Sequence, residues 1–114
     1  MKHKLGVHLL VEGESSPFST LDDVTEVKAA VLDAVAACGG HLLELSVHRF
    51  SPQGVTVVAT LAESHLAVHT WPERGAFAAD LFHCAPFDTE SVVAKLVRGL
   101  KADRWQARTI ERGA

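Results

Sequence analysis

Leu5, Val7, Leu9 and Val11 alternate with Gly6, His8 and Leu10, the two-residue period of a strand with one buried face. Residues 12–20 are rich in Gly, Ser and Pro and read as a loop. Thr20 is then a candidate N-cap, followed by Asp22 and Asp23, whose charges suit the positive end of a helix. Val24, Val27, Val31, Ala34, Val35 and Cys38 recur at helical spacing until Gly39 and Gly40 stop the helix. Leu43, Leu45 and Val47 alternate with Glu44, Ser46 and His48 in a second strand running to Phe50. After a turn at 51–54, residues 55–61 form a β-branched third strand, apolar on both faces and therefore expected at the centre of the sheet. Residues 66–71 continue in extended form, 72–75 turn, and 76–84 make a further strand with small residues Ala76, Ala78 and Ala79. Asp88 or Thr89 caps a second helix with Val92, Val93, Leu96, Val97 and Leu100 on one face, and 105–110 alternates again as a last strand.

This order, with short turns between the middle strands, predicts antiparallel pairing. The fold class is α+β: a two-layer α/β sandwich, a mainly antiparallel sheet with two helices on one face. The other face of the sheet is left for a partner.

With 114 residues the chain is expected to be a single domain spanning 1–114, small enough that a dimer would add useful burial. A composition 47% hydrophobic and 22% charged is that of a globular protein. The formal charge of -3 is scattered, with no basic stripe for nucleic acid, and no apolar run matches a membrane span. The N-terminus lacks the apolar core of a signal peptide, so the expected setting is cytoplasmic and reducing, with Cys38 and Cys84 unpaired.

The chemistry gathers between residues 62 and 84, where Glu63, Ser64, His65, His69 and Cys84 bring together a carboxylate, a hydroxyl, two imidazoles and a thiol. No Gly-x-Ser-x-Gly elbow surrounds Ser64, which argues against a hydrolase nucleophile. A serine hydroxyl can instead attack the carbonyl of the preceding residue, Glu63, if the backbone is held in a strained turn. Elimination of the resulting ester leaves a pyruvoyl group at a new N-terminus. That route needs a base, and His69 is a candidate. Ser64 and His69 are an odd number of residues apart, so a straight strand puts them on opposite faces, and the route requires a bend or bulge between them. His65 and His69 share a face but lack a nearby third ligand, so no metal is expected. Cys38 reads as a small buried apolar residue. Cys84 closes its strand beside Asp80 and His83; a thiol with a pKa of about 8.5 is protonated at neutral pH and can donate a proton.

The runs 50–55 (Phe-Ser-Pro-Gln-Gly-Val), 62–66 (Ala-Glu-Ser-His-Leu), 68–73 (Val-His-Thr-Trp-Pro-Glu) and Asp80-Leu81-Phe82 with Cys84 closely resemble the small prokaryotic S-adenosylmethionine decarboxylases, which are pyruvoyl-dependent. The resemblance covers nearly the whole chain, from His8-Leu9 to Glu111-Arg112-Gly113. It implies autocatalytic cleavage between Glu63 and Ser64 into a β chain, 1–63, and an α chain, 64–114. Ser64 would become the pyruvoyl group, which forms a Schiff base with the substrate amine and takes up the electrons released with carbon dioxide. The resemblance makes His69 the processing base, Thr56 a hydroxyl that assists processing, and Cys84 the catalytic proton donor. It further assigns Phe50 to stacking on adenine and Glu73 to the ribose hydroxyls. It implies a homodimer whose paired sheets share the substrate sites, and a product that feeds spermidine synthesis.

The chain departs from the family pattern at several places. Residues 12–16 carry no aromatic; Ala67 and His83 stand where hydroxyl residues are common; Val57 replaces a frequent glycine; Arg74 takes a frequent aromatic position. Relatives that decarboxylate arginine or ornithine therefore supply an alternative substrate class, and a ligand- or metal-binding module with an inert serine is a remoter one.

Overall fold

The structure, a computed structural model, describes residues 4–113; residues 1–3, part of the stretch read against a signal peptide, lie outside them. The strands are β1 (Lys4–Glu14), β2 (Leu42–Arg49), β3 (Val55–Leu61), β4 (Ser64–Trp71), β5 (Ala76–His83) and β6 (Arg104–Gly113). The helices are α1 (Phe18–Leu21), α2 (Val24–Ala37) and α3 (Thr89–Gly99), with a 3-10 turn at Pro72–Arg74. All strands join one antiparallel sheet in the order β2-β3-β4-β5-β1-β6.

The helices cover one face, as the pattern predicts. Leu9 and Val11, Val57 and Ala59, Leu66 and Val68, and Ala79 and Leu81 project from β1, β3, β4 and β5 into a core shared with Val27, Val31, Ala34, Val92 and Leu96 of the helices. β5 alternates buried and half-buried residues without interruption, which sets its register and sends Asp80 and Phe82 to the opposite face. Among the described residues no helix covers that second face, where His8, His65, His69 and Asp80 sit half-buried.

Several expectations are corrected. The cap of α2 is Asp23, whose carboxylate accepts the N–H groups of Thr25 and Glu26; Thr20 is buried within α1. The stretch read as a loop from residue 12 is divided, because pairing with β5 and β6 carries β1 on to Glu14. β3 lies next to the edge strand β2, and β4 and β5 occupy the centre. β3 buries Val55, Val57, Ala59 and Leu61 under the helices, while its outer side, Thr56, Val58 and Thr60, belongs to the uncovered face. The second strand ends at Arg49, the fifth ends at His83, and the last reaches Gly113 with every residue exposed.

Candidate active site

Ala62 and Glu63 make the turn between β3 and β4, and Leu61 pairs with Ser64 across it. Hairpins this short ordinarily place Gly, Asn or Asp at positive φ. Here the positive φ, 152°, falls on Ser64 itself. A residue with a Cβ held in such a region costs on the order of 1–3 kcal/mol and persists only where neighbours hold it.

His41 supplies much of that hold. Its C=O accepts the Ala62 N–H at 2.9 Å, its N–H donates to Glu63 Oε1 at 3.0 Å, and its Nδ1 lies 2.6 Å from Glu63 Oε2. The His41 backbone N–H, followed by its ring, lowers the Glu63 carboxyl from its ordinary 4.5 to about 2. From the other side, the Cys84 N–H donates to the Glu63 C=O at 3.2 Å. That carbonyl is the one a Ser64 hydroxyl would attack, and a donor on its oxygen is placed to stabilise an oxyanion.

Cys84 follows directly on β5, its side chain exposed, and Ser64 pairs with the preceding His83. Gly6 permits this approach: a Cβ there would stand 2.5 Å from the His83 carbonyl oxygen. His83 is buried under the Cys84 turn, where its Nδ1 lies 2.8 Å from the Ala85 carbonyl oxygen and 3.1 Å from the Ala85 nitrogen, and its ring packs on Phe87. A cleft of about 330 Å³ opens beside Gly6, His83 and Cys84. A larger one, about 750 Å³, lies between α3 and β6 on the helix side and holds none of the candidate residues. Cys38, by contrast, is buried; its thiol donates to the Val35 C=O, and burial pushes its pKa up.

His69 is not brought to Ser64. The bend required of β4 is absent: its pairing with β3 and β5 runs unbroken from Ser64 to His69. At about 3.3 Å per residue the two positions stand about 16 Å apart. His69 instead faces Thr56 on β3, Nδ1 to Oγ1, at 3.0 Å. The same end of the sheet carries Phe50, its ring exposed and against His48, and Glu73, exposed in the 3-10 turn. Asp22 braces this end, accepting from the Arg49 guanidinium at 2.7 Å and from the Gly54 N–H at 3.0 Å. Gly75, at φ 62°, closes the turn after Glu73.

A further cluster escaped the sequence reading. Asp80 Oδ2 lies 2.9 Å from Nε2 of both His8 and His65, and the Arg112 guanidinium meets His8 Nδ1 at 3.0 Å. His65 Nδ1 stands 3.4 Å from Ser64 Oγ. Burial pulls the Asp80 pKa up, but the hydrogen bonds from His8 and His65 prevail and hold it below its ordinary value. The only sequence signal was parity: His8, His65 and Asp80 all fall on the positions of their strands opposite the apolar set. Which strands adjoin is not written locally. His41, outside any motif, left no signal.

Comparisons with known proteins follow the same outline. Residues 7–113 match the family model described as S-adenosylmethionine decarboxylase. An S-adenosylmethionine decarboxylase proenzyme of Methanococcus maripaludis (strain C7) is 43% identical over 104 residues, 88% of this chain and 85% of that protein. One from Caldanaerobacter subterraneus subsp. tengcongensis is 38% identical over 113 residues, 96% of this chain and 89% of the relative. The crystal structure of the adenosylmethionine decarboxylase from Aquifex aeolicus superposes with a TM-score of 0.86 at 27% identity, covering 97% of this chain and 92% of that one. Fold and relatives together define an enzyme of the carboxy-lyase class. The chain belongs to the S-adenosylmethionine decarboxylase family. Membership favours that reading over the arginine and ornithine decarboxylases and over a non-enzymatic binding module.

Proposed function

We propose that the chain is a proenzyme that cuts itself between Glu63 and Ser64 and then decarboxylates S-adenosylmethionine with the pyruvoyl group formed from Ser64. The observation that carries this is the scissile turn: Ser64 bears a positive φ, and the Glu63 carbonyl beside it already accepts the Cys84 N–H. Ground-state strain and a preplaced donor both favour attack of the hydroxyl on that carbonyl. These residues fit a self-made pyruvoyl group, whose ketone binds the substrate amine and draws the electrons released with carbon dioxide.

The chain's own groups divide the remaining work. Cys84, exposed next to the new terminus, returns a proton to the substrate's α-carbon. Phe50 stacks on the adenine, and Glu73 accepts the ribose hydroxyls. Because Thr56 and His69 lie about 16 Å along the sheet from Ser64, with Phe50 and Glu73 beyond them at the same end, we take one chain not to complete a site. Two copies packed by their uncovered sheet faces about a two-fold axis would lay the His69 end of each against the Ser64 end of the other. In that homodimer His69, held by Thr56, removes the α-hydrogen of the partner's Ser64 during processing. The product then serves aminopropyl transfer toward spermidine.

Intact mass tests the reading. The active protein is expected to run as fragments 1–63 and 64–114, the second blocked to N-terminal sequencing, and Ser64→Ala as one chain without activity. Cleavage persisting in Ser64→Ala would move the scissile bond elsewhere. Carbon dioxide release from labelled S-adenosylmethionine, arginine and ornithine, assayed side by side, is expected from the first; turnover of a basic amino acid alone would overturn the substrate.

A further inference from the structure

Resting on that reading of Ser64, we infer that His65 is the general base of the first processing step, taking the Ser64 hydroxyl proton on its Nδ1, and that Asp80 is the residue that positions it.

The hydrogen-bond pattern leaves little freedom in how the protons are arranged. An ionised carboxylate only accepts, so His8 and His65, each 2.9 Å from Asp80 Oδ2, present Nε2–H to it. In a neutral imidazole the other nitrogen then carries the lone pair. His8 verifies this independently: its Nδ1 meets the Arg112 guanidinium at 3.0 Å, a group that can only donate. The same logic frees the Nδ1 lone pair of His65, and the group before it is the Ser64 hydroxyl, 3.4 Å away. Contacts of this kind are long in the resting state and shorten as charge develops. Nucleophile, base and orienting carboxylate thus stand in line.

The donor atoms of His8, His65 and Asp80 lie within 4.8 Å of one another, a spacing that could also hold a cation. Arg112 decides between the two arrangements. Its positive charge on the His8 ring, 5.6 Å over the Phe82 face as well, opposes a second cation and supports the hydrogen-bonded chain.

The step balances within the chain. The Ser64 O–H bond breaks and its proton moves to His65 Nδ1. Oγ bonds to the Glu63 carbonyl carbon, and the carbonyl π pair moves to the oxygen that accepts the Cys84 N–H. On collapse the Glu63–Ser64 C–N bond breaks, and His65 returns the proton to the departing nitrogen. The products are an ester and a free amine, with nothing oxidised or reduced. His65 and His69 therefore handle different protons: His65 the hydroxyl proton from its own chain, His69 the α-hydrogen.

Hydroxylamine separates the two steps because it cuts an ester and leaves an amide intact. In full-length His69→Ala, where elimination is blocked, excess neutral hydroxylamine is expected to cut the chain between 63 and 64 at the rate of the acyl shift, read by intact mass. Adding His65→Ala or His65→Gln is expected to slow that cut about a hundredfold, and imidazole in the buffer to restore part of the rate in His65→Ala. Asp80→Asn is expected to slow the cut with His65 present but to leave the imidazole-rescued rate of His65→Ala unchanged, since it acts through His65. Equal rates with and without His65, in variants that keep the parent melting temperature, would overturn the inference while leaving self-cleavage standing. A wild-type chain that never cleaves would instead bring down the reading beneath it.

Discussion

The two ends of the central strands are built for opposite tasks. At the Ser64 end the backbone is strained and tightly clamped: a positive φ, His41 on the Glu63 carboxylate and the Ala62 N–H, and the Cys84 N–H on the Glu63 carbonyl. At the other end the backbone is regular, and the chemistry is in side chains: the Thr56–His69 pair across an even ladder, with Phe50 and Glu73 exposed beyond it. On the proposed reading, the first end holds the bond to be broken and the second holds groups that act on something brought to them. Under the same proposal each end supplies what the other lacks, and a self-complementary dimer would bring the two together.

The sharpest way to break this comparison is to place its ends on different chains. Ser64→Ala and His69→Ala are each expected to lose activity altogether or nearly so. Co-expressed and freely mixed, half of the dimers contain one chain of each kind, and such a dimer has one intact site of two. About a quarter of wild-type activity should therefore return if sites are shared between two-fold-related copies, with only the His69→Ala chain cleaved. No recovery in purified mixed dimers would put both ends to work within one chain.

A smaller effect separates backbone from side chain at the Ser64 end. Cys84→Ala keeps the N–H that meets the Glu63 carbonyl, so intact mass should show cleavage continuing, whereas carbon dioxide release should fall about 10²-fold or more. Undiminished turnover would remove the thiol from the reaction.

The clamp has a pH signature. Glu63 titrates at about 2 in the folded chain against an ordinary 4.5, so its stabilisation is complete above 4.5 and is lost as pH falls toward 2. Thermal melts of uncleavable Ser64→Ala should weaken across that window, and Ser64→Ala with Glu63→Gln should weaken less steeply there. Parallel curves would mean that the His41 contact contributes nothing to stability.

The smallest effect is a control. Asp88 caps α3 beyond the Cys84 turn, accepting from the N–H groups of Glu90 and Ser91. Asp88→Ala should cost about 1 kcal/mol in denaturant unfolding and leave the cleavage rate unaltered, because neither end of the sheet depends on that cap.

Much of the molecule was legible along the chain. Period-two runs at 5–11 and 43–47 and the β-branched run at 55–61 placed three strands, and the helical spacing from Val24 and from Val92 placed the two long helices. Of the two caps offered for α3, Asp88 and Thr89, the structure uses Asp88, while Thr20 misled because Asp23 offers a better acceptor nearer the first buried turn. The centre of the sheet was misjudged at β3, whose β-branched run was read as apolar on both faces although Thr56 and Thr60 stand on its outer side. The odd separation of Ser64 and His69 correctly raised a conflict, but the bend expected to resolve it does not exist in β4.

What the linear chain determined was the list of elements and reactive groups, because hydrophobic period, caps and turn residues act over a few neighbours. Only the folded sheet decided which groups meet. Strand order set β1 and β4 on either side of β5, so that His8 and His65 both reach Asp80, and the fold brought His41 and Cys84 together at the turn of Ala62 and Glu63. Such contacts join positions tens of residues apart, and no local preference encodes them; they follow from burying one face of every strand against the same helices.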